Sequence, residues 1–140
     1  ELFTEVAGSY GATGAGQAAE VWLGERALAR GDADEARRHW TAALERGTER
    51  PMAAAARLDL AQLDRSTGRA EQLLAELLRE RDAGKGPLPA DALLTELART
   101  YEALGRDAEA RQTWQQLVDE HGDSPYAAAA RLQLSTLPAG

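Results

Sequence analysis

The sequence predicts an all-α protein, a solenoid of about three helix-turn-helix repeats closed by a C-terminal capping helix. Composition is the first reason. Ala, Leu, Arg and Glu dominate, only 5 prolines interrupt, aromatics are 5% and β-branched residues are scarce, which favours helix over strand. Self-similarity is the second. PMAAAARLDLAQL at 51–63 returns as PYAAAARLQLSTL at 125–137, and residues 31–63 laid without a gap on 105–137 agree at 14 of 33 positions. The matched Gly31/Gly105, Trp40/Trp114 and Pro51/Pro125 weigh more than the matched alanines, which coincide by chance in Ala-rich helices. The third is a beat: Gly31, Gly68 and Gly105 are each 37 residues apart, a period typical of stacked repeats.

Each beat has the same anatomy. A helix, A, ends at the glycine, which suits the left-handed position just past a helix. A second helix, B, follows after so short a link that the two run antiparallel. A proline then opens the next A helix, where its fixed φ loses no hydrogen bond. Asp32 and Asp107 are the expected N-caps of two B helices, and Ser124 that of the last A helix; Arg50 is a poor cap. Helices are expected at 16–30, 33–47, 51–66, 70–82, 90–104, 107–121 and 125–137. Apolar spacing at three and four supports them, as in Leu93, Leu94, Leu97, Ala98, Tyr101 and Leu104. The domains read as a lead-in at 1–15, then repeats at 16–50, 51–89 and 90–124 and a capping helix at 125–137. The lead-in ELFTEVAGSYGATGA starts apolar and turns glycine-rich, as a short packing helix with a loop or the root of an upstream segment. The longest internal loop, 82–89, holds the single lysine, Lys85, and reads as mobile.

Charge and cysteine count narrow the function. A net charge of −7 argues against nucleic acid, which needs a basic face, and against a basic membrane-surface helix. With 0 cysteines there is no disulfide, thiolate nucleophile or cysteine metal site. No apolar run reaches the ~18 to 20 residues of a membrane span, and no signal peptide is visible. Because the chain starts at Glu1 rather than Met, a fragment or processed product is expected, with any signal or anchor upstream. His39 and His121 belong to no HExxH or spaced ligand set and read as solvated or capping residues. GATGAG at 11–16 has no preceding strand and no following GK[ST], unlike a phosphate cradle. The serines lack a GxSxG context. Asp34 with Glu35, and Asp119 with Glu120, are helix neighbours that do not face each other. We therefore assign no catalytic, cofactor or metal residue and expect a non-enzyme.

With these residues in place, the chain resembles tetratricopeptide repeats. Counting each glycine as position 15, position 8, small in that family, is Gly24, Ala61 and Ala98. Position 11 is Ala27, Asp64 and Tyr101; position 20 is Ala36, Leu73 and Ala110; position 24, usually aromatic, is Trp40, Leu77 and Trp114. The third repeat fits well, the first fairly, and the second departs at positions 11 and 20. The resemblance covers about residues 16–137. It implies a right-handed solenoid whose A helices line a concave groove for a peptide or protein partner. By position that groove carries Val21, Trp22, Glu25, Asp59, Gln62, Arg65, Glu96, Arg99, Glu102 and Gln133. Trp40 and Trp114 are expected in the core. Trp22 is either an exposed anchor or packed against Leu2 and Phe3. The carboxylate clamp of chaperone-binding relatives needs basic and Asn residues where this chain has Ala18, Trp22, Ala55, Asp59, Ala92 and Glu96, so no binding to a chaperone C-terminal carboxylate is expected.

A narrower resemblance adds a setting. The stretch ALGRDAEARQTWQQLVDEHGDSPYAAAARLQL is similar to bacterial envelope tetratricopeptide domains of the Sec-translocon ancillary and Tol-Pal coordinator types. This implies a chaperone-like scaffold in envelope protein assembly or translocation. It would face the periplasm, with membrane contact only through an anchor upstream of Glu1; a cytoplasmic location is the second reading. One lysine against 15 arginines fits a high-GC bacterial genome. The alternative is a homo-oligomer that self-associates through Leu132, Leu134 and Leu137 of the terminal helix.

Overall fold

The three spaced glycines do end helices, and in the same way. Gly31, Gly68 and Gly105 have φ of 81°, 78° and 69°, the left-handed region that side chains with a Cβ enter at a cost. The next residue's amide then reaches back to a carbonyl five residues earlier. Asp32 N–H donates to Ala27 O at 3.0 Å, Arg69 to Asp64 at 2.9 Å and Arg106 to Tyr101 at 2.9 Å. This is the Schellman closure, and its acceptors are the three residues of repeat position 11.

The computed structural model describes residues 2–9, 14–49 and 51–139, and these are helical throughout apart from turns and loops. Among the described residues the helices are α1 Leu2–Ser9, α2 Gly14–Ala29, α3 Ala33–Glu45, α4 Ala53–Ser66, α5 Ala70–Ala83, α6 Ala90–Ala103, α7 Asp107–Glu120 and α8 Ala127–Thr136. The lead-in therefore contains a helix, α1. Of GATGAG, residues 11–13 lie outside the described residues, and Gly14, Ala15 and Gly16 are the first turn of α2.

Two details of the starts differ from expectation. Asp32 caps α3 by accepting the Glu35 amide at 2.9 Å, but Asp107 lies inside α7, whose N-cap is Arg106 with no side-chain bond. The prolines stand ahead of their helices rather than at the first helical position. Pro125 sits in a tight turn in which the Ala127 amide bonds the Ser124 carbonyl at 3.0 Å. Ser124 Oγ accepts the Tyr126 amide at 3.1 Å, so it caps that turn and not α8 itself.

The fold is all-α, with helix pairs repeated as in an α-solenoid. Contacts group residues 1–63 into one compact unit and 64–140 into another. In unit 1, α2 packs on α3 and α1 lies on α2. Val21, Ala27, Trp40, Leu60 and Leu63 form its core, with Met52 packed against it. Trp40 is 1% exposed, and its Nε1–H donates to the Val21 carbonyl at 3.2 Å.

In unit 2, α5, α6, α7 and α8 pack in succession. Leu94, Ala98, Trp114, Leu117, Ala127 and Ala130 form the central cluster, and Leu73, Leu77 and Leu97 are fully buried. Leu134 and Leu137 pack against this cluster, so they are not free for a pairing face; of that trio only Leu132 is exposed. The departures of the second repeat are absorbed here: Leu73 is fully buried in the core, and Asp64 pairs with Arg69 at 3.4 Å. Lys85 is exposed in the loop between α5 and α6, at the edge of a cavity of about 300 Å³ that it shares with Leu88, Leu93 and His121.

Candidate protein-binding face

The A helix of the first repeat, α2, presents Trp22 half-buried. The Phe3 ring stacks on it with centroids 3.8 Å apart and planes 17° from parallel, and the Arg26 guanidinium lies 4.9 Å from the ring centre. Packing against the lead-in is thus the arrangement found. Glu25, one turn from Val21, is exposed, and Gln62 on α4 is exposed as well. Asp59 is half-buried; burial, and then the Glu25 charge, hold its carboxyl above the usual range. Val21 itself is 2% exposed and belongs to the core, which corrects its assignment to the groove. Its side chain packs in the cluster around Trp40 and also borders the space between α1 and α2.

In unit 2 the A-helix residues form a charge cluster. Glu96 is 3% exposed. Its Oε2 accepts from Arg65 at the end of α4, and its Oε1 accepts from Arg99 at 3.2 Å. A buried carboxylate is tolerated when it is paired this way. Arg99 stays about half exposed while Arg65 is mostly covered. Glu102 is half-buried and partly structural: Trp114 Nε1–H donates to its Oε1 at 2.6 Å. Gln133, near the end of α8, is half-buried, and its carbonyl accepts the Leu137 amide at 2.9 Å. The sequence positions thus gather Glu25 with Asp59 in one unit, and Arg65, Glu96 and Arg99 in the other.

Sequence reasoning missed a polar network inside unit 1. Glu20 is 7% exposed. Its carboxylate pairs with Arg46 at 2.6 Å and with His39 Nδ1 at 2.7 Å. Arg46 also donates to the Ala7 carbonyl of α1 at 3.0 Å. Gln17, 0% exposed, donates through Nε2 to the carbonyls of Ala43 and Gly47, both at 2.9 Å. His39 is therefore half-buried and hydrogen-bonded to Glu20 rather than solvated. The signal was available: Gln17, Glu20, Gly24 and Ala27 recur at three and four, which puts two polar residues on the buried stripe of α2. His121, in contrast, stands at the C-cap of α7. Among the described residues no group of three or more His, Cys, Asp or Glu is placed to hold a metal ion, and no helix is long and apolar enough to cross a membrane.

Comparisons with known proteins agree with this architecture. A family model described as a tetratricopeptide repeat-like domain matches residues 1–92, and one described as a tetratricopeptide repeat matches residues 91–124. The join falls at the start of α6, where the third A helix begins. Neither a curated protein nor a solved structure matches the chain. With the first model spanning well over half of the residues and the glycine, small-residue and tryptophan positions in phase, the chain belongs to the tetratricopeptide repeat-like domain family.

Proposed function

We propose that this chain is a non-enzymatic scaffold that holds a protein or peptide partner on the A-helix faces of its repeats, in bacterial envelope protein assembly or translocation. Tetratricopeptide repeats generally mediate protein–protein interaction. The observation that carries the reading for this chain is the Arg65–Glu96–Arg99 cluster. Glu96 is buried and accepts from both arginines, so a charged A-helix surface is set before any partner arrives, and little ordering is left to be done on binding. The Glu25 and Asp59 carboxylates give unit 1 a face of different character. The envelope setting is supported by the similarity of the third repeat to envelope domains and by the arginine bias.

The test is an affinity capture with residues 1–140 as bait against separate membrane and soluble bacterial extracts, read by mass spectrometry. A Trp22→Ala, Arg99→Glu variant runs beside it. Envelope or translocation proteins that are recovered by the parent and lost with the variant are the expected result. Recovery of the bait alone, indifferent to the variant, would overturn the proposal.

Self-association is the second reading, favoured by one observation: Leu132 on α8 is 64% exposed. Light scattering that shows a monomer at high concentration ends that reading.

A further inference from the structure

We propose that the partner's contact with unit 1 is a basic amphipathic segment: a large apolar side chain enters an open slot beside Trp22, and an Arg or Lys about one helical turn away meets Glu25 and Asp59. This rests on the interaction reading above and names the partner chemistry for unit 1.

The slot is apolar and open. Ala18 and Trp22 of α2 make its floor, Leu2, Phe3 and Val6 of α1 make one wall, and Met52 closes it, around about 450 Å³. That volume lies within the range of sites that take small ligands or anchoring side chains. The wall is held at both ends, by the Phe3 ring on Trp22 and by the Arg46 bond to the Ala7 carbonyl. Even so, Leu2 is 69% exposed and Phe3 37%. Two large apolar side chains left open beside an apolar slot mark an interaction site more than a finished core.

The rim specifies charge. Glu25 lines the slot and acts electrostatically on Asp59. Among the described residues neither carboxylate has an ion pair. The neighbouring Arg26 is placed over the Trp22 ring instead. A cation from a partner would satisfy both carboxylates, whereas an acidic partner would add like charge to a pair that already repels. In unit 2 the A-helix carboxylate of Glu96 is already matched by two arginines.

The test uses the full chain and three short labelled peptides in fluorescence anisotropy. The first is an alanine-based helix with one Phe and two Arg a turn away, the second has Glu for each Arg, and the third has Ala for the Phe. The first should bind about tenfold more tightly than either control, since one control turns two attractive pairs into repulsive ones and the other loses the apolar anchor. Glu25→Gln with Asp59→Asn should cost it about fivefold or more and flatten its salt dependence, while Lys85→Glu, an equal charge reversal on the exposed α5–α6 loop, should leave it unchanged. Both carboxylate changes preserve shape, and circular dichroism confirms that the variant folds. Equal binding of the Glu peptide, no effect of the carboxylate variant, or no binding of any peptide up to about millimolar overturns the inference. The interaction reading fails separately: a partner captured from extract and lost with Trp22→Ala, Arg99→Glu but kept by the carboxylate variant leaves that reading standing.

Discussion

Gly24 and Ala98 hold the same repeat position, yet a methyl group fits at only one of them. A Cβ on Gly24 would lie 2.3 Å from Trp40 Nε1. The reason is where each indole finds its acceptor. Trp114 donates to Glu102; the equivalent residue in the first repeat is Leu28, which offers no acceptor, so Trp40 turns to the Val21 carbonyl and crosses the space over Gly24. Gly24→Ala should therefore destabilise by about 1–3 kcal/mol through overpacking, although alanine alone would favour the helix by about 1 kcal/mol. Urea unfolding checks the sign, and a more stable variant would refute the packing account. Two carboxyls should answer pH in opposite directions. The Ser124 hydroxyl donates to Asp91 Oδ2 at 2.7 Å and, more than the Ala92 amide and against burial, lowers the carboxyl pKa from 3.8. That stabilisation is fully present above the unfolded value and is lost as pH falls through the lower folded one. Ser124→Ala should cost about 1 kcal/mol at neutral pH, with the gap from the parent closing in acid. Asp59 runs the other way. Its raised pKa means that its ionised form opposes folding at neutral pH and is relieved as pH falls through the folded value. Asp59→Asn should give a small gain in melting temperature at pH 7 that disappears in acid.

At the scale of elements, helices were legible because their ends are local chemistry. The glycine closures, the apolar stripes and the prolines placed the helices close to their observed limits. The missed cap shows what residue type alone leaves open. All three B helices start two residues after their glycine, at Ala33, Ala70 and Asp107, so the cap is always the residue directly after it: Asp32, Arg69 or Arg106. Choosing the residue with a capping side chain gave Asp32 correctly and Asp107 wrongly; position, not type, decides. Asp32→Ala should then cost about 1 kcal/mol and Asp107→Ala no more than about 0.5 kcal/mol, as a first-turn charge. Thermal melts of the two variants compare them directly, and equal losses would count against the assigned caps. The buried Glu20–Arg46–His39 network was not legible for the opposite reason. It joins residues up to 26 apart in sequence, and a periodic pattern reveals which face a residue is on but not what meets it there.

For the whole molecule, a repeat architecture makes stability a sum of local units and their neighbour contacts. Residues 1–63 and 64–140 each gather their own contacts, and each has a tryptophan at its core, Trp40 and Trp114. A lesion in one unit should therefore be felt first at its own tryptophan. With fluorotryptophan incorporated, fluorine NMR through a urea series should show the Gly24→Ala change lowering the Trp40 midpoint more than that of Trp114. One shared midpoint would mean that the chain unfolds as a single cooperative body. The candidate face was half legible at this scale. Repeat phase put Trp22, Glu25, Asp59 and Arg99 on A helices, but it also chose Val21, which the core takes. It had no means of showing that Arg65 and Arg99 neutralise Glu96 while Glu25 and Asp59 stay unmatched.

One feature of the α5–α6 loop bears on how such a protein is handled. Lys85 is exposed, it is the only lysine, and the chain has 0 cysteines. Apart from its α-amino terminus, the molecule thus offers amine chemistry a single side-chain address. A dye, a biotin or a sensor surface coupled there attaches at one known point on a loop, leaving the helices that carry Trp22, Asp59 and Arg99 unmodified and every molecule presented in the same orientation.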